Sequence, residues 1–255
     1  MFNSLYTQNA AFDNKRVSQP DYYNGRANYF TSFLQATFGL HPRINLGVDL
    51  QFRSASRDTN RGSSALQVFR FGNHTNHQTK LASVGPKIKF IPFKKWPSLS
   101  VQSTFYIPVA KDLEGNKKSR IFLDYDKINW WTQLFIDQRL NPRLNLFYGF
   151  DVIYRIGNMS NGGGLLQTPL TFIITTFPSR NFTLYALGQY YPTHQKADWN
   201  DSGTFNNQYF MQIGIGTKFI IGSRLELELA YNKFVAGKNS GEGQTFNVGI
   251  RYIKR

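Results

Sequence analysis

Cysteine is absent from the 255 residues, which excludes disulfides and thiolate metal sites and suits passage through an oxidising compartment. Acidic residues are few, with 15 Asp and Glu against 30 Lys and Arg, so the formal net charge is +15. The bases are scattered through the chain instead of gathered in a patch, which argues against nucleic acid as the partner. An anionic surface is the better partner, lipid or lipopolysaccharide phosphate first and proteins of the same membrane as further candidates. Long hydrophobic runs are missing too. Mean hydropathy is −0.40, and the longest strongly apolar run, Leu170 to Phe177, is broken by threonines. No segment nears the roughly 20 apolar residues of a membrane-crossing helix, so a helical membrane protein is excluded. There is no internal linker to split the chain, and Met1 leads into FNSLYTQ with neither a basic start nor an apolar stretch. The expectation is one domain over residues 1–255, in mature form.

What is abundant is aromatic and alternating. Phe and Tyr number 23 and 14, a content natural where rings form girdles at two bilayer interfaces. Residues 128–157 show the pattern best, as two alternating stretches hinged on Asn141-Pro142-Arg143. In the first, Ile128, Trp130, Leu134, Ile136 and Leu140 alternate with Asn129, Gln133, Asp137 and Arg139. In the second, Leu144, Leu146, Tyr148, Phe150, Val152 and Tyr154 alternate with Asn145, Gly149, Asp151 and Arg155. Each runs about 13 residues, against about 5–6 for a globular strand, and at a tilt near 45° spans about 30 Å. That is the length of a membrane-crossing β-hairpin. A Lys or Arg facing lipid at mid-bilayer costs about 2–4 kcal/mol in a transmembrane barrel, so the charged set faces a lumen and the apolar set faces lipid. A soluble ligand-binding barrel would reverse the two faces.

The same rhythm recurs along the chain. Strands are expected over 2–12, 28–40, 44–55, 82–92, 98–110, 128–157 as a pair, 165–177, 182–194, 207–220, 224–236 and 245–253. The stretch 182–194 is apolar or aromatic on both faces, so its register stays open. Between them, 56–81 is polar with a short element near Leu66–Phe71, 111–127 reads as a solvated charged loop, and 158–164 is glycine-rich. Short turns alternate with longer polar connections, as in outer-membrane barrels with short periplasmic turns and long outer loops. Strand numbers in such barrels are even, which assigns residues 2–12 to the barrel and makes twelve. The expected fold is all-β, a single twelve-stranded antiparallel transmembrane β-barrel of outer-membrane type, located in the bacterial outer membrane. HPRINL at 41–46 and NPRLNL at 141–146 nearly repeat, and SRNFTL at 179–184 shares its arginine-then-apolar pattern with SRLELE at 223–228. These arginines sit where they can meet lipid phosphate.

The stretch LYTQNAAF followed by NYFTSFLQATFGLHPRINLGVDLQFRS resembles the small outer-membrane β-barrels common in Bacteroidetes, a group placed with transporter-like barrels of the phenol-degradation type. Residues 28–54 carry most of the likeness. It implies a single outer-membrane barrel and brings no catalytic residues.

Several groups of residues invite chemistry. Ser160-Asn161-Gly162 is similar to the serine segment of outer-membrane phospholipases, but no histidine precedes it and His194 would have to serve as the base. His74 and His77 lack a third ligand. Asp112, Glu114, Asp124 and Asp126 are interleaved with Lys111, Lys117, Lys118 and Lys127, which favours solvation over calcium. No catalytic, cofactor or metal site is expected. The strongest constellation is a lumen charge network of Asp49, Asp137, Asp151, Glu226 and Glu228 with Arg53, Lys87, Lys89, Arg139, Arg155, Lys218 and Arg251. Within it, a turn centred on Gly222 would set Lys218 opposite Glu226. Paired, these charges would fill the bore; unpaired, they would line an anion-favouring pore. The expected function is non-enzymatic, an accessory or structural subunit of a larger outer-membrane assembly. A narrow channel for small or anionic solutes is the alternative, and a rim hydrolase acting on lipid is the distant one.

Overall fold

The computed structural model describes residues 1–20, 25–58, 64–70, 75–115, 120–156, 165–196, 205–222 and 224–253. All the long strands join one antiparallel sheet that closes on itself. They are β1 (Phe2–Phe12), β3 (Arg26–His41), β4 (Ile44–Asp58), β5 (His77–Phe90), β6 (Leu99–Pro108), β7 (Ile128–Asn141), β8 (Leu144–Ile156), β10 (Leu170–Ser179), β11 (Phe182–Lys196), β12 (Phe205–Ile221), β13 (Leu225–Lys238) and β14 (Ser240–Tyr252). Two short pieces complete the set. The two-residue β2 (Ser18–Gln19) pairs with the end of β1, and β9 (Leu165–Gln167) continues β10 beyond Pro169. Each strand pairs with the next, and β1 against β14 shuts the ring, giving a closed twelve-strand barrel. The seam is fastened by the Met1 amino group, which donates to the Ile250 carbonyl at 2.7 Å.

Alternation decides the two faces, because successive side chains of a strand point to opposite sides. Outside stands an apolar coat in which Phe38, Leu40 and Ile215 are 68%, 71% and 68% exposed. A coat this exposed needs a lipid surround. The ambiguous strand resolves into Leu184, Ala186 and Tyr190 outside, with Thr183, Tyr185, Leu187 and Gln189 inside. Inside, small and large residues alternate between neighbours. A Cβ on Gly216 would lie 2.3 Å from the Tyr185 ring, and one on Gly243 would lie 2.2 Å from the Thr7 carbonyl, so glycine there lets large neighbours lie flat across the sheet.

Three expectations about the elements are corrected. The fourth barrel strand starts at His77, not residue 82, and the last starts at Ser240, not residue 245, so the final connection is a tight turn at Asn239 with φ 49°. Both extensions, HQTKL and SGEGQ, project past the apolar belt, where alternation carries no hydrophobic signal. The turn after β12 is centred one residue later than expected, since Ile221 pairs with Leu225. The third correction concerns residues 111–127, which are not simply a solvated loop. Leu113 and Leu123 are buried to 1% and 2% exposure against Ala55 and Ala82, with Tyr29 and Ile121 beside them. Gln78 donates to the Ile121 carbonyl at 3.0 Å, and Lys80 to the Lys111 carbonyl at 2.6 Å. Ala55, Gln78 and Lys80 share the inward face, so the described parts of this connection, 111–115 and 120–127, fold into the barrel mouth.

The element expected near Leu66–Phe71 is a single-turn 3-10 helix, Ala65–Phe69, and it lies on the opposite side of the same wall. Val68 is fully buried there, its carbonyl accepting from Ser54 Oγ at 2.6 Å, while Phe69 meets the outward ring of Phe30 edge-on at 4.8 Å. The long-connection ends of β3, β4 and β5 are thus covered on both faces.

Candidate functional site: the lumen

The interior is layered. At the long-connection end, the Arg53 guanidinium pairs with Asp124 at 3.1 Å and donates to the Leu123 carbonyl at 3.3 Å. Arg155 stacks over the Tyr125 ring at 3.6 Å and donates to Gln167 Oε1 at 3.4 Å. The opposite wall is a file of rings, Tyr29, Tyr6, Phe234, Phe210 and Tyr191, with successive centroids 5.9, 5.2, 4.4 and 4.8 Å apart. These rings stack on one another around the wall. Tyr29 at one end touches the folded connection, so rings and connection together close the circumference.

Below this layer, Lys87 Nζ lies 2.5 Å from Asp49 Oδ1, with those side chains 5% and 0% exposed. Tyr106 and Gln35 both donate to Asp49 Oδ2, at 2.9 and 3.2 Å. A buried ion pair is costly unless its other lone pairs are occupied; these two donors occupy those of Oδ2, while Oδ1 has the Lys87 ammonium beside it. Across the bore, Asp151 accepts from Trp131 Nε1 at 3.1 Å and Gln133 Nε2 at 3.3 Å, and among the described residues no cation pairs with it. An amide band continues from this point. Gln102 donates to Gln133 at 2.9 Å, and farther round Gln212 donates to Gln189 and Gln189 to Thr171.

Nearer the short turns the remaining charges meet. Lys218 reaches Glu228 at 3.3 Å and Glu226 at 3.9 Å, Tyr185 donates to Glu228 at 2.5 Å, and Arg251 donates to Glu226 at 2.6 Å. The expected direct opposition of Lys218 and Glu226 is corrected: the strand partner of Lys218 is Glu228, because the later turn centre moves the register by two residues. A two-residue shift preserves the face, so all three charges remain inward. Lys89 lies over the Phe135 ring at 5.3 Å, Asp137 accepts from Asn145 at 2.5 Å, and Arg139 folds over the turn to donate to the Pro142 carbonyl at 3.2 Å. A cavity of about 880 Å³ occupies this end of the lumen, with Phe147, Ile173 and Leu187 on one wall and Lys218, Glu228 and Arg251 on the other.

The remaining candidates separate. Ser160, Asn161, Gly162, His74, Lys117 and Lys118 lie outside the described residues. His77 Nε2 sits 3.3 Å from the Val68 carbonyl, and His194 belongs to β11 opposite Leu166. Of the loop carboxylates, Asp124 is taken by Arg53 and Asp126 accepts the Leu113 amide at 2.9 Å. Sequence reasoning missed the file of rings and the inward packing of Leu113 and Leu123. Tyr6, Tyr29, Phe210 and Phe234 sit on the inward, polar half of the alternation, and that is the available signal.

No family model matches the chain, and no curated protein does. Solved structures do. An outer-membrane channel from Pseudomonas putida F1 superposes with a TM-score of 0.71 at 9% identity, covering 99% of this chain and 94% of the other. The β domain of the Bordetella autotransporter BrkA follows at 0.59 and 11% identity, covering 99% and 98%. The NanC porin gives 0.52 at 7% identity over the whole of both chains. At such identities the likeness is one of fold, and with the apolar coat and the closed ring it makes this chain an outer-membrane β-barrel.

Proposed function

We propose that the chain is a non-enzymatic, narrow channel for small or anionic solutes, with its short turns in the periplasm, its long connections outside, and its outer mouth narrowed at rest by residues 109–115 and 120–127. The observation that carries this reading is the unequal filling of the bore. One end is lined by Leu113, Leu123, Tyr125 and the file of rings packed side by side, while the other holds a cavity of about 880 Å³. A wall built only for stiffness has no need of a closure made from a connecting segment, whose ordering costs entropy. The likeness to a channel and a porin is compatible with this. The kinship with Bacteroidetes-type barrels belongs to the same reading. A second reading, a structural subunit of a larger assembly, is favoured by the buried Asp49–Lys87 pair that occupies the bore.

Planar-bilayer recording separates the two. Wild-type protein should pass small currents, and Leu113→Asp with Leu123→Asp should enlarge them, since carboxylates cannot remain in that apolar contact. If both correctly folded proteins pass no current, the channel reading falls and the subunit reading stands; equal currents from the two overturn the closure by this segment.

A further inference from the structure

We propose that a groove at the short-turn mouth is a binding site for a phosphate or carboxylate group, built by Arg139, Arg143 and Arg180. The groove measures about 1000 Å³ and runs from the hairpin turn between β7 and β8 to the turn between β10 and β11. Two of its arginines are anchored, one by its side chain and one by its backbone. Arg139 is tied by its donation to the Pro142 carbonyl. The Arg143 backbone is pinned on both sides, its amide donating to Asn141 Oδ1 at 2.8 Å and its carbonyl accepting from Phe177 at 3.0 Å. The one carboxylate in the groove, Asp137, is occupied by the Asn145 amide at 2.5 Å, a neutral partner. Neither the Arg143 nor the Arg180 side chain has a hydrogen-bond or ion-pair partner among the described residues, so three guanidiniums face one carboxylate that is already engaged.

Guanidinium forks match the paired oxygens of carboxylate and phosphate, and several on one concave surface make a site where a single surface arginine does not. The position adds to this. Asp137, Asn145, Phe177 and Arg180 line both the groove and the lumen cavity, so an anion held here stands at the entrance to the bore. The anion has two possible sources, a soluble solute or a lipid headgroup. The proposal deepens the channel reading and rests on it for the solute's route, whereas binding itself is measured without current.

The test is calorimetric titration of inorganic phosphate into the full chain in phosphatidylcholine nanodiscs at low salt. Wild type should give a saturable isotherm. Arg143→Gln with Arg180→Gln should weaken it by about tenfold or more, the worth of one lost charge-assisted hydrogen bond. Arg43→Gln, at a turn outside the groove, should leave it unchanged. Absence of saturable binding by wild type overturns the proposal, as does equal weakening by Arg43→Gln, which would reduce the effect to general surface charge. Nanodiscs containing phosphatidylglycerol identify the source. Loss of the phosphate heat there supports the site with a lipid headgroup as its occupant, and persistence supports it with a soluble anion. A protein that binds phosphate and carries no current would keep this site and sink the channel.

Discussion

Asp49 and Lys87 show what a single pair can decide. Their side chains are 0% and 5% exposed, and removing one partner strands a buried charge at a cost of about 3–5 kcal/mol, whereas replacing both with apolar groups is often neutral. Lys87→Met should therefore lower the unfolding midpoint in urea markedly, and adding Asp49→Leu should restore much of it. A double variant as unstable as the sum of the two single changes would show that the pair is not coupled. At this scale the sequence was informative about face and poor about partner. That Asp49 and Lys87 both point inward follows from alternation alone. That Gln35 faces Asp49 follows from the short turn at residues 41–43, but that Tyr106 completes the shell does not, because it comes from β6, a strand not paired with β4.

The hairpin of β12 and β13 carries the same lesson at the level of an element. Turn residues near Gly222 allow two centres, and the one adopted makes Lys218 the strand partner of Glu228 while still leaving Glu226 within 3.9 Å. A double-mutant cycle on Lys218 and Glu228 should give a coupling of about 0.2–1 kcal/mol, that of a directly opposed cross-strand pair. The Lys218 and Glu226 cycle should give less, since Arg251 also holds that carboxylate. Reversal of the two values would restore the earlier turn centre. Strand positions were legible wherever one face met lipid, and strand ends were not. Beyond the belt both faces of HQTK and SGEGQ are polar or small, and pairing there depends on backbone hydrogen bonds that leave no mark in hydropathy. The fold of residues 109–127 was hidden for a related reason: two leucines among many charges bury only because Ala55 and Ala82 leave room for them.

As a whole the molecule is a ring that holds only when complete. Its apolar exterior predicts that purified protein requires detergent and that unheated samples run faster on a denaturing gel than boiled ones, since the closed ring resists the detergent until heated. A water-soluble, heat-insensitive monomer would contradict the barrel. The ring is not uniformly laced, however. Between β9 and β10 stands Pro169, with no amide to give, and close by in β11 stands Pro192, likewise without one. Backbone bonds at this level include Asp151 to the Pro169 carbonyl at 2.9 Å and Thr168 to the Pro192 carbonyl at 3.2 Å, and side-chain bonds join Gln167 to Arg155, Tyr191 and Thr193. In a fabric, a row of missing stitches limits how far a tear can run. Fraying that began at Leu165–Gln167 would meet such a row before it reached Leu170, and the register of β10 below would be kept.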